Sequence, residues 1–325
     1  MTHIAIIGAG QLGSRHLQGL SGVDRAIQIS VLDPAPASLE RAKVRFQEMP
    51  ANEYIKSISF FESLIALKSD VDVAIVATHA DVRRDVVEEL LEHVSVRFLI
   101  LEKVAFQSVE DFQDVIDLLE KKGIKAWVNC TARMYPFYKT LKQKLRSRGK
   151  LYMNVTGGNW GLASNSIHML DLFAFLTGEN KIFLDGSDID SNVLESKREG
   201  FIELTENLRG RTKSGSKISL MDCKDSKTPS VIIISNADSV SIIMDGSSKA
   251  LQSKKGSNSE WEEVSFQVPL QSQLTCIAIQ QILDTGKSDL PTLEESFTIH
   301  KPMLETFNQH LEEYTGRHYE RVPIT

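Results

Sequence analysis

The run Gly8 to Gly13, GAGQLG, carries the first pattern in the chain that could do chemistry. It follows an apolar stretch that begins at His3, and it opens a helical pattern from Gln11 to Leu20. Glycines at this spacing let the backbone approach a pyrophosphate closely, and the N–H groups and dipole of the helix then face the negative charge. The pattern predicts a dinucleotide-binding turn, with an ordinary strand-turn-helix connection as the alternative. Its candidate cofactor-binding residues are Gly8, Gly10, Gln11, Leu12 and Gly13.

An acidic residue stands where such a turn needs one. The second apolar stretch, residues 27–32, ends at Asp33, which lies twenty residues after Gly13. In that position a carboxylate hydrogen-bonds the adenosine ribose of a bound dinucleotide. The same charge would repel a 2′-phosphate, so Asp33 favours NAD over NADP as the cofactor.

A later, largely apolar helical pattern carries three polar residues on one face. Ser164, His168 and Asp171 stand at positions i, i+4 and i+7. A histidine and an aspartate in one stripe suit proton transfer, because imidazole titrates near neutral pH. A surface histidine paired with a neighbouring aspartate is the alternative. No metal site is predicted, since a histidine and an aspartate three residues apart are too few ligands.

The first part of the chain alternates short apolar strands with amphipathic helices. Residues 71–76 are almost wholly apolar, as is typical of a central parallel strand buried on both faces. The alternation predicts a doubly wound α/β sheet through residue 128. The predicted strands are 3–7, 27–32, 58–60, 71–76, 97–101 and 125–128, and the predicted helices are 11–20, 38–47, a short one through 64–67, 82–93 and 109–122.

Ligands of such sheets bind beyond the carboxyl ends of the strands. Lys103 emerges there from a hydrophobic strand, which makes it a candidate functional residue, with a surface lysine on a loop as the alternative. His79 either reaches the nicotinamide ribose or bonds only to the backbone, and His16 is predicted to be packed or exposed rather than catalytic. The candidates at these strand ends are Ala77, Thr78, His79, Glu102, Lys103 and Asn129.

The pattern changes after about residue 150, where short strand-like stretches alternate with Gly, Ser, Asn, Asp and Lys. This spacing predicts a large, mostly antiparallel sheet. The chain is therefore predicted to be α/β, with a Rossmann domain over 1–128 and an α+β domain over 129–325 whose C-terminal segment can pack back on the first. The stretches DGSSK and KKGSNSE are predicted hairpin loops. The predicted strands are 151–156, 200–205, 217–221, 231–235, 239–244 and 264–268, with helices at 163–176, 271–284 and 294–314.

Composition narrows the class of protein. The 325 residues are 42% hydrophobic and 25% charged, with a formal net charge of −6, which argues against a nucleic-acid partner. No apolar run approaches the ~20 residues that cross a bilayer, and the first strand begins too early for a secretory leader. Three widely separated cysteines favour a reduced, cytoplasmic protein.

Taken together, these residues resemble the Gfo/Idh/MocA family of oxidoreductases, which includes glucose–fructose oxidoreductase and inositol dehydrogenase. The resemblance spans nearly the whole chain. The matching residues are GAGQLG at 8–13, Asp33, ATHAD at 77–81, EKV at 102–104, NCTARMYP at 129–136, HMLD at 168–171 and PTLEES…H at 291–300.

The resemblance implies a Rossmann domain followed by an α/β domain with a mostly antiparallel sheet, through which the family forms dimers or tetramers. It implies hydride transfer between NAD and a carbinol or carbonyl carbon of a sugar or sugar derivative. Lys103 matches the lysine of the family's Glu-Lys-Pro motif, which holds and polarises the reacting oxygen, and His168 matches the histidine that moves the proton. The residues that would surround the substrate are Asn129, Arg133, Tyr135, Trp160, Ser164 and Asp171.

Three positions depart from the family pattern. Val104 and His79 stand where the family usually has proline, and Ser164 replaces the aspartate of its polyol dehydrogenases. A hydroxyl cannot take up a proton as a carboxylate does, so either a substrate group assists His168 or the substrate is not inositol-like. An NAD-dependent glycosidase and a non-catalytic dinucleotide-binding sensor are the alternative functions. The run GGNWG…NSIHMLD also resembles members associated with bacterial surface-sugar clusters.

Overall fold

The computed structural model of the chain describes residues 1–145, 149–244, 249–254 and 260–325, which form two compact units. The first unit comprises Met1–Phe106, Glu110–Cys130 and Pro269–Ser296, and the second comprises Gln107–Val109, Thr131–Val268 and Phe297–Thr325. The first unit thus runs past the predicted boundary at residue 128 and includes a later stretch of chain. Most of DGSSK and KKGSNSE, the two predicted hairpin loops, lies outside the described residues.

Strands and helices alternate in the first part of the chain, and strands dominate after α6. In chain order the elements are β1 (Thr2–Ile7), α1 (Gln11–Leu20), β2 (Ile27–Leu32), α2 (Pro36–Gln47), β3 (Ile55–Phe61), β4 (Val71–Val76), α3 (Ala80–His93), β5 (Val96–Leu101), α4 (Val109–Lys122), β6 (Lys125–Val128), α5 (Pro136–Leu145), β7 (Tyr152–Gly158), α6 (Leu162–Thr177), β8 (Ile182–Ile189), β9 (Leu194–Glu195), β10 (Ile202–Glu203), β11 (Glu206–Thr212), β12 (Lys217–Cys223), β13 (Val231–Ser235), β14 (Ser239–Met244), β15 (Lys249–Lys254), β16 (Trp261–Ser265), α7 (Gln271–Thr285) and α8 (Leu293–Thr315). Short 3-10 turns cover Leu64–Ala66 and Thr131–Met134.

The first unit contains a six-stranded sheet in the order β3-β2-β1-β4-β5-β6, with every neighbouring pair parallel. This confirms the predicted doubly wound sheet. Its central strands, β1 and β4, are rich in Ile, Val and Ala that are buried on both faces, as a sheet covered by helices on each side requires. The strand order reverses between β1 and β4, and such a switch point is where open α/β sheets bind ligands.

Helix α7 joins the first unit through close packing on α1. A Cβ placed on Gly19 of α1 would lie 2.8 Å from the Cβ of Thr275 on α7, so glycine is required for the two helices to approach this closely. The sequence predicted α7 as a helix, but it did not indicate that this helix packs on α1.

The second unit contains an eight-stranded sheet in the order β16-β15-β14-β13-β7-β12-β11-β8. All neighbouring pairs are antiparallel except β7 and β12, which run parallel, so the predicted mostly antiparallel sheet is confirmed. Helix α6 packs on this sheet and buries most of its apolar residues. It ends at Gly178 in a left-handed conformation, as predicted from the glycine.

Several strand predictions in this half were wrong in extent or missing. The predicted strand 200–205 is reduced to the two residues of β10, which pair with β9. The strand predicted at 264–268 corresponds to β16, which lies at Trp261–Ser265 because these residues pair with β15. Strands β8, β9, β11 and β15 were not predicted. Their Asp, Gly, Ser, Asn and Arg residues have low strand propensity, and pairing with neighbours outweighs that preference.

One face of this sheet carries apolar side chains that α6 does not cover. Ile233, Ile242 and Leu251 lie side by side on three adjacent strands, and Leu251 is exposed. Among the described residues no helix is both long and apolar enough to cross a membrane.

Candidate active site

The turn between β1 and α1 has the geometry of a close backbone approach. Gly8 has φ of +93°, and a Cβ there would lie 2.9 Å from the backbone of Ala77 and Thr78. A Cβ on Gly13 would collide with the carbonyl oxygen of Gly8. A Cβ on Gly10 would meet nothing within 4 Å, so open space borders the turn at that residue. The first N–H groups of α1 have no intrahelical acceptor, and together with this space they suit a phosphate group.

Asp33 supports this turn directly. Its Oδ2 accepts a hydrogen bond from the backbone N–H of Ala9 at 2.7 Å, and its Oδ1 accepts one from Ala35 at 2.8 Å. An ionised carboxylate has about four lone-pair sites, so the same group can also accept ribose hydroxyls. The structure therefore gives Asp33 a role in shaping the turn that sequence reasoning did not identify.

Backbone hydrogen bonds bring four strand ends to one edge of the sheet. Gly8 N–H donates to Leu32, Ala77 to Ile7, Glu102 to Val76 and Asn129 to Leu101, at 2.7–3.0 Å. At this edge the hydroxyl oxygen of Thr78 is shielded from solvent and has no hydrogen-bond partner among the described residues. A buried polar atom of this kind beside the glycine turn fits a bound dinucleotide that supplies the partner. His79, the next residue, is exposed.

Glu102 is the centre of a buried polar cluster at this edge. Its Oε1 accepts from Nε2 of His16 at 2.8 Å and from Nδ2 of Asn129 at 2.6 Å. Nδ1 of His16 lies 2.8 Å from the hydroxyl of Thr275, which donates to the carbonyl of Gln271. An ionised carboxylate can only accept, so Nε2 of His16 donates its N–H to Glu102.

The pKa of Glu102 reflects these neighbours. Burial alone raises it, but the hydrogen bond from His16 and the positive charges of His16, Arg83 and Lys103 outweigh burial and lower the pKa to about 2. Glu102 is therefore an ionised carboxylate inside the first unit at neutral pH. His16, predicted to be packed or exposed, is fully packed, and Asn129, predicted at the substrate, binds Glu102.

Arg83 holds the loops that follow β4 and β5. Its guanidinium is buried, and it donates to the carbonyls of Thr78, Val104 and Ala105, the last at 2.7 Å. Burial lowers the pKa of Arg83 to about 10, against the opposing effect of Glu102 and Asp81, so Arg83 stays charged at neutral pH. Sequence reasoning missed this residue, because one arginine in an amphipathic helix shows no sign of burial.

Lys103 lies between Glu102 and the residues that Arg83 holds. Its side chain is half-buried, and its backbone N–H lies 3.3 Å from Oε2 of Glu102. The peptide bond from Lys103 to Val104 is cis, and Val104 is buried.

The candidate residues of the second unit lie on and around α6. Ser164 and His168 are half-buried, whereas Asp171 is buried. Arg133 binds Asp171 with two hydrogen bonds of 2.9 and 2.5 Å, so the structure brings these two predicted substrate residues together as an ion pair. Trp160 donates its ring N–H to the carbonyl of Met221, and the ring of Tyr135 stacks on Tyr138.

Two carboxylates from distant strands cap the N-terminus of α6, where Gly161 has no side chain to do so. Asp222 accepts from the backbone N–H groups of residues 160–162, and Glu203 accepts from that of Ser164. Neither residue was identified from the sequence, since nothing in their local pattern indicates the helix they cap. No cluster of three or more potential metal ligands occurs in the part of the chain that the structure describes.

Known proteins support this description of the fold. Residues 2–130 match the Gfo/Idh/MocA family model, described as an oxidoreductase family with an NAD-binding Rossmann fold. No curated protein matches the chain in sequence.

Similar solved structures cover nearly the whole chain. A UDP-N-acetylglucosamine 3-dehydrogenase from Acidithiobacillus ferrooxidans is 16% identical, with 98% of this chain and 100% of that chain covered and a TM-score of 0.70. A 3-ketoreductase from Actinomadura kijaniata, in complex with TDP-benzene and NADP, is 12% identical over 94% and 96% of the two chains, with a TM-score of 0.71. A super-repressor mutant of Gal80p from Saccharomyces cerevisiae is 13% identical over 96% of each chain, with a TM-score of 0.72.

At these identities the solved structures show a shared fold and no more. The family model covers the stretch of chain that carries the glycine turn, Asp33, Glu102 and Lys103, and a dinucleotide, NAD or NADP, is the group that this stretch fits. Residues 2–130 of this chain therefore match the NAD-binding Rossmann fold of the Gfo/Idh/MocA family of oxidoreductases.

Proposed function

We propose that this protein is an NAD(H)-dependent oxidoreductase acting on a carbinol or carbonyl carbon of a sugar or sugar derivative. The observation that carries the proposal is the edge of the parallel sheet, where a half-buried lysine follows an ionised, buried glutamate beside a glycine turn that suits a pyrophosphate. A charged side chain held at the carboxyl edge of such a sheet is suited to act on a ligand bound there.

Each candidate catalytic residue has a separate role in the proposal. The glycine turn and Asp33 would hold the dinucleotide, which would supply hydride transfer to or from the substrate carbon. Lys103 donates a hydrogen bond to the reacting oxygen and stabilises the charge that develops on it. His168 takes the hydroxyl proton during oxidation and returns it during reduction. The role of Lys103 is supported by the hydrogen bonds that hold the backbone around it. Its N–H donates to the carboxylate of Glu102, and Arg83 donates to the carbonyls of Val104 and Ala105.

Nucleotide-linked sugars are the first substrates to test. Two proteins of this fold are described as a UDP-N-acetylglucosamine 3-dehydrogenase and as a 3-ketoreductase in complex with TDP-benzene. The purified protein is incubated with NAD⁺ or NADH and a panel of free, nucleotide-linked and nine-carbon sugars while nicotinamide absorbance is followed. Turnover with net change in absorbance supports the proposal.

Two other outcomes would overturn it. Cleavage of a glycosidic bond with cofactor recycling and no net reduction would identify a glycosidase. Tight cofactor binding without turnover on any sugar would identify a sensor, and a chain described as a super-repressor mutant has the same fold.

NAD(H) is expected to bind more tightly than NADP(H), because the carboxylate of Asp33 would repel a 2′-phosphate at the ribose. The Asp33→Asn variant removes that charge and should bind NAD(H) about tenfold more weakly. Its preference for NAD(H) over NADP(H) should also be smaller than that of the unaltered protein. Titration of each cofactor by fluorescence measures both effects. Asp24→Asn, an exposed aspartate before β2, is the matched control. Tighter binding of NADP(H) by the unaltered protein would contradict the expectation.

We also propose that a second copy of the chain covers the apolar sheet face around Ile233, Ile242 and Leu251. These side chains lie in one cross-strand row, and leaving such a row in water costs free energy that a partner removes. Light scattering should give a dimer or tetramer. Ile242→Glu should shift it to monomer, whereas Ile65→Glu, at an isolated exposed isoleucine, should not. A monomeric wild-type protein would contradict the proposal.

A further inference from the structure

Ser164 is bound to a carboxylate that lies 39 residues away in the chain. Its hydroxyl donates to Oε2 of Glu203 at 3.0 Å, and its backbone N–H donates to Oε1 of the same residue at 2.9 Å. Glu203 comes from β10, a two-residue strand, and reaches across to α6. The serine therefore has a carboxylate in direct contact, although none is near it in sequence.

The chain makes room for this carboxylate. Gly161, immediately before α6, has φ of +85°, and a Cβ there would collide with Oε2 of Glu203 and lie 2.7 Å from Oγ of Ser164. Asp222 already accepts the backbone N–H groups of residues 160–162, so most of the capping at this helix end is done by another residue. Glu203 differs from Asp222 in that it also binds a side-chain hydroxyl.

That hydroxyl lies one helical turn from His168. Residues at i and i+4 of a helix are surface neighbours, with Cβ atoms about 5–6 Å apart. A serine hydroxyl has one proton to donate and two lone pairs to accept, so Oγ of Ser164 can accept from a protonated imidazole while it donates to Glu203. Asn165 also approaches Oγ, at 3.4 Å.

We propose that Glu203 is a positioning residue for His168, acting through the hydroxyl of Ser164. A relay of two hydrogen bonds, from His168 to Ser164 and from Ser164 to Glu203, places a negative charge near the imidazole. This charge favours the protonated form of the imidazole. The acid/base role of His168 itself rests on the proposed function, whereas its link to Glu203 does not.

Other charged groups on the elements that pack against α6 have separate partners. Arg133 binds Asp171, Lys142 lies 3.9 Å from the ring centre of Phe175, and Asp222 binds the backbone at the start of the helix. Lys139 and Lys144 of α5 and Lys217 of β12 complete the charged groups on those elements in the described part of the chain. Glu203 is the carboxylate among them that hydrogen-bonds a side chain one turn from His168.

The test is the proton titration of His168, followed by NMR on the full chain without substrate or cofactor. The signal is assigned from its loss in His168→Asn. In Glu203→Gln the amide still accepts from the backbone N–H of Ser164, but the charge is gone, so the titration midpoint should fall by about half a pH unit or more. In the double variant Ser164→Asp/Glu203→Gln the carboxylate is returned one turn from His168, and the midpoint should recover.

Asp222→Asn is the matched control, because it removes a capping carboxylate that does not contact Ser164. Its His168 midpoint should stay within about 0.2 pH unit of wild type. Equal shifts in Glu203→Gln and Asp222→Asn, or no shift in the former, would reduce Glu203 to a helix cap and overturn the proposal. A clear shift in a protein that turns over no sugar would instead support the link to Glu203 and count only against the proposed function.

Discussion

Replacing Lys103 with methionine is expected to lower kcat by at least ~100-fold on the true substrate, because one preorganised donor to a developing oxyanion contributes about that much. Methionine keeps much of the length and apolar stem of lysine and removes the ammonium group. The buried contacts around it, from Glu102 to Asn129 and from Arg83 to Val104, involve other side chains and the backbone. The variant should therefore fold and bind the cofactor as wild type does.

The measurement pairs steady-state rates with a separate titration of NADH. Lys121→Met, an exposed lysine on α4, is the control for the substitution itself. His168→Asn is tested in the same assay, since the proposal requires a group that moves the proton. If either Lys103→Met or His168→Asn kept turnover within about tenfold of wild type, that residue would not have the role proposed for it.

Glu102→Gln is expected to lower the free energy of unfolding by ~3 kcal/mol at pH 7. The wild-type carboxylate has a pKa of about 2 against a reference value of 4.5, and that difference corresponds to ~3 kcal/mol of native-state stability. The glutamine variant also replaces the charged acceptor of the buried His16 ring N–H by a neutral one, which weakens that hydrogen bond.

The pH dependence distinguishes charge from packing. Since the folded-state pKa of Glu102 is depressed, its contribution is fully present above pH 4.5 and is lost as the pH falls toward 2. The difference between wild type and Glu102→Gln in urea unfolding should therefore shrink over that interval. Glu120→Gln, at an exposed position on α4, should match wild type throughout. A difference that stays constant from pH 7 to pH 2.5 would mean that packing, and not the carboxylate charge, is responsible.

The local pattern of the sequence was enough to predict the parallel sheet of the first unit. Strands such as β4 and β2 are short apolar runs bounded by turn residues, and the helices between them repeat with the helical period. The glycine turn could also be predicted, because the need for φ of +93° at Gly8 and for no Cβ at Gly13 is a property of single residues.

Strands of the second unit were harder to predict for a physical reason. Strand β11, ENLRGRT, has little strand propensity of its own and is held by pairing with β8 on one side and β12 on the other. Such pairing depends on chain segments that are distant in sequence, and no local window contains it.

The candidate site residues could be identified from the sequence, whereas their hydrogen-bond partners could not. The sequence alone determined the residue types and spacings, with Lys103 after a buried strand and Ser164 one helical turn before His168. Only the tertiary structure decided that Glu102 lies between His16 and Asn129, that Arg133 binds Asp171, and that Glu203 reaches Ser164. A hydrogen bond depends on distances of about 3 Å between side chains tens of residues apart, and those distances exist only once the sheets and helices have packed.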